Sequence, residues 1–408
     1  MNANSIQAYI DRHHDAQIAF LAELVKVPSD NPPGDCAPHA ARAAELLEAM
    51  GFTVERHVVP AETVKANGMI TATNLVIRRR FGPGPTVALN AHGDVVPPGE
   101  GWSVDPYGGV VKDGVMYGRG VAVSKSDFAT YVFALKALEA SGLTLNGAVE
   151  IHLTYDEEAG GLIGPGWLLS QGITKPDYAI SAGFSYNVTV AHNGCLHLEV
   201  RVEGKSAHAA RPDTGVDALE AATKLLTSLY ALRETYKTTL SHVPGISHPT
   251  LVVGLIAGGI NTNVVPDVVT LRIDRRIIPE ENSAEAERDL TAHIERVAAG
   301  LPGITVSVRR ILLAEPFRVK PGQEKLTALL QKHGEAIMGK PIPAGGVPIY
   351  TDARLYSEAC VPTVLYGAGP HTLLDANGHR ADEKLGLEDL RKATQVVALT
   401  LADLLSEG

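Results

Sequence analysis

Residues 86–94, TVALNAHGD, form an apolar run that reads as a β-strand and ends by delivering His92 and, two positions on, Asp94. Its surroundings alternate in the same way. Helical spacing covers roughly residues 5–26, and APHAARAAELLEAM (37–50) continues it up to Gly51. TVERHVV (53–59) and TNLVIRR (73–79) read as strands, a helix follows Ser124 as far as Gly142, and AVEIHLTYDEE (148–158) is again strand-like. Such alternation predicts an α/β domain built on a mostly parallel mixed sheet with helices on its faces. In sheets of this kind ligands bind outside the carboxyl ends of the strands.

The pattern changes near Cys195. LHLEVRVEG (196–204) alternates as a half-buried strand does. A helix (217–236), two strands (250–258 and 267–277), a helix (283–300) and a strand (305–312) follow. This β-α-β-β-α-β order predicts a ferredoxin-like α+β domain, one small sheet with both helices on one face. Helix and strand alternate again from about residue 313. Residues 196–312 therefore read as an insertion into a catalytic domain made of 1–195 and 313–408.

The chain has 408 residues, 45% of them apolar and 20% charged, with a net charge of −10 and no basic run. That argues against nucleic acid or an anionic membrane as the main partner. No apolar run approaches the roughly 18 residues of a membrane helix. The charged N-terminal stretch lacks the apolar core of a signal peptide. Cys36, Cys195 and Cys360 lie far apart with no CxxC spacing. They read as buried thiols of a protein in the reducing cytoplasm.

Four places carry candidate chemistry. His92 stands at a strand end, with Asp94 placed to accept the second N–H of its imidazole. Asp156, Glu157 and Glu158 crowd the end of another strand; a cation would offset their repulsion, and adjacent glutamates can divide ligation and proton transfer between them. His208 lies in GKSAHAARP just after the first strand of the insertion, and His379 in the polar loop DANGHRADE. Each taken alone is also what a structural histidine or a solvated acidic turn looks like. Together they stop being independent.

At this point the chain resembles the zinc aminoacylase, carboxypeptidase G and succinyl-diaminopimelate desuccinylase superfamily. The resemblance rests on AHGDVVP (91–97), GEGWSVDPYGG (99–109) with DGVMYGRG (113–120), TYDEEAGG (154–161), GKSAHAARPDTGVDAL (204–219), GGINTNVVPDV (258–268), DRRIIP (274–279), TDARLY (351–356) and GHRADE (378–383), in the expected order. It implies that His92, Glu158 and His379 are metal ligands, Asp94 the partner of the His92 imidazole, and Glu157 the general base. It further implies His208 as the oxyanion donor from the inserted lid domain. Asn263, Arg276 and Arg354 would grip a substrate carboxylate or amide. Members of the superfamily often dimerise through the lid, so a homodimer is expected, with a small molecule as substrate.

The chain also departs from that pattern. A bridging carboxylate is expected within GRG-x-x-D-x-K, but GRGVAVSK places Val123 there. A second carboxylate normally follows a later strand, where Ala182 or Gly183 now stands. Both losses fall on the same ion of a two-ion site. The remaining His92, Glu158 and His379 make a recognised zinc set and also suit manganese. One divalent ion per chain is therefore expected, reached by ligand shifts of roughly 2 Å from an arrangement whose ions lie about 3.5–4 Å apart. Asp127, one helical turn after Val123, and His371, Ser124 and Ser185 are the possible replacement ligands. The expected activity is metal-dependent hydrolysis of an amide-type C–N bond in a small carboxylate-bearing molecule. Alternatives are an aromatic amine or carbamoyl substrate, with Phe184, Tyr186 and Tyr350 lining the pocket, or a binding homologue without catalysis.

Overall fold

In the computed structural model, which describes residues 2–406, the chain forms two compact units. The first comprises Met1–Val190, Val319–Gly345 and Thr351–Gly408, the second Ala191–Arg318 with Gly346–Tyr350. The second unit thus extends past 196–312 at both ends. His192 bridges to Phe317, and the Gly346 N–H donates to the Pro244 carbonyl at 2.7 Å, which draws these flanks in.

An eight-stranded sheet organises the first unit. Its order is Val54–Val58, Thr73–Arg80, Ala148–Thr154, Thr86–His92, Tyr178–Ser181, Thr363–Leu365, Val188–His192 and Ala344–Val347. The strands from Ala148–Thr154 to Thr363–Leu365 run parallel. Thr73–Arg80 joins antiparallel on one side and Val188–His192 on the other. The parallel part is therefore central rather than general, and it is the part with both faces covered. Ala148–Thr154 is buried at every position and Thr86–His92 at all but its first. Two-sided burial is what parallel strands require. Each fully buried Leu89 or Ile151 contributes about 1.5–3 kcal/mol.

Helix Lys125–Ala140 is buried on nearly every face. It is held by helices Asn2–Val25 and Leu387–Ser406 and by strand Thr86–His92. An apolar surface all round is the mark of a fully enclosed helix. Its first residues follow the Val123 loop, so the loop is anchored directly to the core.

A third, small sheet was not anticipated from the sequence. Val110–Lys112 and Val115–Tyr117 form a hairpin, and Lys384–Gly386 pairs with its second strand. Asp113 and Gly114 close the turn with φ of 51° and 74°. Two positive φ values are what a type I′ hairpin turn demands, and Asp-Gly is a preferred pair for it.

In the second unit the four-stranded antiparallel sheet has the order Thr250–Gly258, Val268–Ile277, Gly194–Glu203, Thr305–Ala314. Leu196, Leu198, Val200 and Val202 alternate toward Leu225 and Leu229 of helix Ala218–Tyr236 and Leu290 and Ile294 of helix Ser283–Ala299. Asp217 and Asn282 cap these helices by accepting backbone N–H groups of the first turn. The other sheet face is polar, with Glu199 paired to Arg272 and Arg309.

Cys36 and Cys195 are buried, whereas Cys360 is exposed just beyond helix Ala353–Glu358, so the expectation that all three are buried fails there. No helix among the described residues is long and apolar enough to cross a membrane.

Gly114 has open space where a Cβ would lie, so a side chain there meets only the backbone cost of positive φ. Gly114→Ala is expected to lower stability by about 1–2 kcal/mol. An unchanged midpoint in urea unfolding would show that the turn carries no such constraint.

Candidate active site and metal centre

His92 ends its strand directly opposite Thr154 in the parallel register, so His92 and the Asp156–Glu158 segment emerge side by side at the carboxyl edge of the sheet. The His92 Nδ1 contacts the backbone oxygen of Asp94 at 2.9 Å; the Asp94 carboxylate is farther, at 3.5 Å. With Nδ1–H donating to that carbonyl, Nε2 is left facing Glu157 Oε2, 3.9 Å away. Asp94 therefore orients the ring through its main chain. Its carboxylate accepts the N–H groups of Glu157 at 3.3 Å and Glu158 at 3.2 Å, and the amide of Asn31 at 3.1 Å.

One ligand atom each from His92, Glu157 and Glu158 lies within 4.8 Å of the others. Glu158 Oε1 is buried and makes no hydrogen bond; Nε2 of His379 stands 3.3 Å from it. His379 thus joins the group through Glu158, from a loop position with φ of 62° and a side chain 51% exposed.

The charge balance of this pocket favours a cation. Burial, with Glu158 and Asp94 adding, pushes the Glu157 carboxyl up. Burial together with Asp352 raises Asp156, and burial together with Glu157 raises Asp352. Burial alone would pull His92 down, but Glu157 and Asp94 carry it well above the ordinary imidazole value. The Glu158 carboxylate against its ring raises His379. Acids that resist ionising and imidazoles that hold extra protons are what an acidic cluster shows when protons supply its positive charge. An imidazole, carboxylate oxygens and an orphaned buried oxygen together fit a divalent ion.

The candidate replacement ligands each have other contacts. Asp127 is buried and its Oδ1 accepts the Ala368 N–H at 2.7 Å; burial pushes it up to about 7. Ser124 Oγ accepts the His92 N–H at 3.1 Å and donates to the His92 carbonyl at 3.2 Å. Ser185 donates to the Gly369 carbonyl at 2.6 Å, and His371 stacks on Tyr186 with ring centres 3.5 Å apart. Gly183 has no space for a side chain: an added Cβ would sit 2.8 Å from Leu365 Cβ and from the Tyr366 nitrogen.

Buried residues that the sequence reading passed over hold these groups in place. Arg119 and Glu383 form an enclosed ion pair at 2.6 Å, each side chain 1% exposed. Glu383 also accepts the N–H groups of Ala122 at 3.0 Å and Val123 at 3.2 Å. Its backbone oxygen accepts the Gly118 N–H, so the segment carrying His379 is bound to the loop carrying Val123. The only sequence signal was position: Glu383 closes GHRADE, Arg119 is the centre of GRG, and Asp352 opens DAR. Arg354 is buried, donates to the Gly160 carbonyl and lies 3.5 Å from Glu358, bracing the turn after Glu158.

His208 and Asn263 come together within the second unit, where the Ala209 N–H donates to the Asn263 carbonyl at 3.0 Å. His208 Nδ1 accepts the Ala210 N–H at 3.1 Å. Arg276 donates to Asp274 at 2.9 Å and stacks over Tyr350. Of the other aromatics, Tyr186 donates its hydroxyl to Asp389, and Phe184 bridges to Gly369.

Residues 88–403 match the model of peptidase family M20/M25/M40. Acetylornithine deacetylase of Proteus mirabilis is 31% identical over 80% of both chains. Succinyl-diaminopimelate desuccinylase of Gluconacetobacter diazotrophicus is 28% identical over 95% of this chain and 97% of its own. Among solved structures, a dipeptidase from Saccharomyces cerevisiae superposes with a TM-score of 0.80 at 16% identity, covering 100% of this chain and 99% of that one. A dinuclear metal-binding peptidase from Bacillus subtilis gives 0.68 at 16% identity, covering 97% and 99%.

Removing one partner of a buried ion pair leaves an uncompensated charge, at a cost of about 3–5 kcal/mol. Glu383→Ala should destabilise the protein by that amount in denaturant titration; a loss below about 1 kcal/mol would show the Arg119 pair to be dispensable.

Proposed function

The chain belongs to peptidase family M20/M25/M40, and from that premise we propose that it hydrolyses an amide in a small carboxylate-bearing molecule at a single-metal site, with Glu157 moving the proton. Hydrolysis of small amide substrates follows from the family; the one-ion site and the residue roles are our reading. One observation carries it. His92, Glu157 and Glu158 converge at the ends of two neighbouring parallel strands; in our reading, taken from the resemblance, Val123 and Ala182 or Gly183 stand where a second ion would need carboxylates.

His92, Glu158 and His379 would hold zinc or manganese, which when bound polarises a carbonyl and acidifies water. Asp94 fixes both the His92 ring and the Glu157–Glu158 turn. Glu157 accepts a proton from the water whose oxygen attacks the carbonyl carbon. As the C–N bond breaks, the same carboxyl returns that proton to the leaving nitrogen. His208 donates to the oxygen that gains charge, an effect of about 2.7–4 kcal/mol where single donors of this kind have been removed. The names of the relatives favour an N-acyl amino acid, its carboxylate met by Asn263, Arg276 or Arg354. A binding homologue without catalysis would have no physical need of both a base and an oxyanion donor.

The second unit supports pairing of two copies. Its edge strand Thr250–Gly258 exposes Val252, Leu255 and Ile256, each more than half accessible. An unpaired apolar edge is a template for another strand. We therefore read a homodimer formed along this edge.

Purified protein should cleave members of a panel of N-acyl amino acids and dipeptides when zinc or manganese is supplied. Glu157→Gln is expected to lower kcat by roughly 10²–10⁴-fold with metal content unchanged. Near-normal turnover in that variant would remove Glu157 from its role. Leu255→Glu with Ile256→Lys should convert the dimer to monomer in light scattering; an unaltered mass would place the interface elsewhere.

A further inference from the structure

Three side chains of different chemistry converge on the polar face of the four-stranded sheet. Cys195 and His197 are two apart on strand Gly194–Glu203 and so point to the same side. Asp274, on strand Val268–Ile277, stands directly opposite His197 in the antiparallel register. Cys195 Sγ lies 3.2 Å from His197 Nε2, that nitrogen lies 3.0 Å from Asp274 Oδ2, and Sγ to Oδ2 is 3.9 Å. All three atoms thus fall within 4.8 Å of one another.

A ring nitrogen offers either one hydrogen or one lone pair. With Nε2 turned to the carboxylate, the thiol is left with only a long contact of its own to the same oxygen, at 3.9 Å. A single cation at the centre of the triangle satisfies all three atoms. Tetrahedral bonds of about 2.3 Å to sulfur and about 2.0–2.2 Å to nitrogen and oxygen place the ligand atoms roughly 3.3–3.7 Å apart. The three separations lie within a few tenths of an ångström of that range.

We propose that Cys195, His197 and Asp274 bind one divalent transition-metal ion of the zinc class, at a site made wholly within the second unit and sharing no residue with His92, Glu157 and Glu158. The thiol selects against magnesium and calcium, which take oxygen ligands. Arg276 donates to Oδ1 of Asp274 at 2.9 Å and to Oδ2 at 3.1 Å, which fixes the carboxylate as supporting hydrogen bonds do around metal ligands. Binding releases the thiol proton to solvent, and the thiolate pair bonds to the ion. His197 and Asp274 are 35% and 30% exposed while Cys195 is buried. The ion therefore enters from the imidazole and carboxylate side, and a water completes its coordination there.

The test uses full-length protein stripped of metal and titrated with cobalt(II) and with zinc. His92→Ala/Glu158→Ala serves as the background that removes the other site. The background variant should still take up about one zinc per chain and show a near-ultraviolet sulfur-to-cobalt charge-transfer band. Cys195→Ser should abolish the band, and His197→Ala should weaken zinc binding by roughly tenfold or more, both with native circular dichroism. Absence of the band from wild-type protein, or its survival in Cys195→Ser, overturns the proposal. If Cys195→Ser does not fold, His197→Ala decides: unchanged zinc affinity is the contrary result. Turnover by the Cys195→Ser protein separates this site from the catalytic reading, because failure of one leaves the other standing.

Discussion

One buried carboxylate holds the carboxyl edge of the large sheet together. Asp94 is fully enclosed and accepts the main-chain N–H groups of Glu157 and Glu158, while its own carbonyl engages the His92 ring. The two strand ends would otherwise be separate loops, each free to turn its side chains outward. Hydrogen bonds to a charged acceptor contribute about 1.5–3 kcal/mol apiece. That is enough to fix a turn whose own residues repel one another. Glu157, Glu158 and His92 therefore occupy one rigid constellation at the carboxyl edge of the sheet.

Much of this was legible in the sequence, because the burial that makes the fold also patterns the chain. Apolar runs such as TVALNAH marked the strands, and turn residues marked where they stop. The inserted unit showed itself by a change from continuous to alternating hydrophobicity. Three segments far apart in the chain, carrying His92, the adjacent Glu157 and Glu158, and His379, were recognisable as belonging together. The geometry then brought His92, Glu157 and Glu158 into one cluster, with His379 touching it through Glu158.

What stayed hidden depended on contacts that leave no period in the sequence. The Arg119–Glu383 pair joins residues 264 positions apart and looks like ordinary surface charge until both are seen to be enclosed. Asp127 has the spacing of a replacement ligand, yet its carboxylate is taken up by the backbone of Ala368. The partner of the His92 ring proved to be a main-chain oxygen, which no side-chain pattern encodes. The hairpin at Asp113–Gly114 did leave a signal, the two-residue turn, but within a stretch so polar that it read as loop. Which strands of the large mixed sheet run antiparallel was not assigned, because short flanking strands carry too few residues to reveal direction. Cys195 and His197 are close in sequence, but Asp274 joins them only through strand register.

The packing around Gly183 bears on how this lineage can change. A carboxylate at position 123 needs one substitution, at a side chain that is only partly exposed. Position 183 admits no side chain, because a Cβ there would lie 2.8 Å from Leu365 Cβ and from the Tyr366 nitrogen. Any side chain at that position would require the backbone of two strand ends to separate first. On the single-ion reading, a chain packed this way is closed to simple reversal by point mutation at position 183 alone.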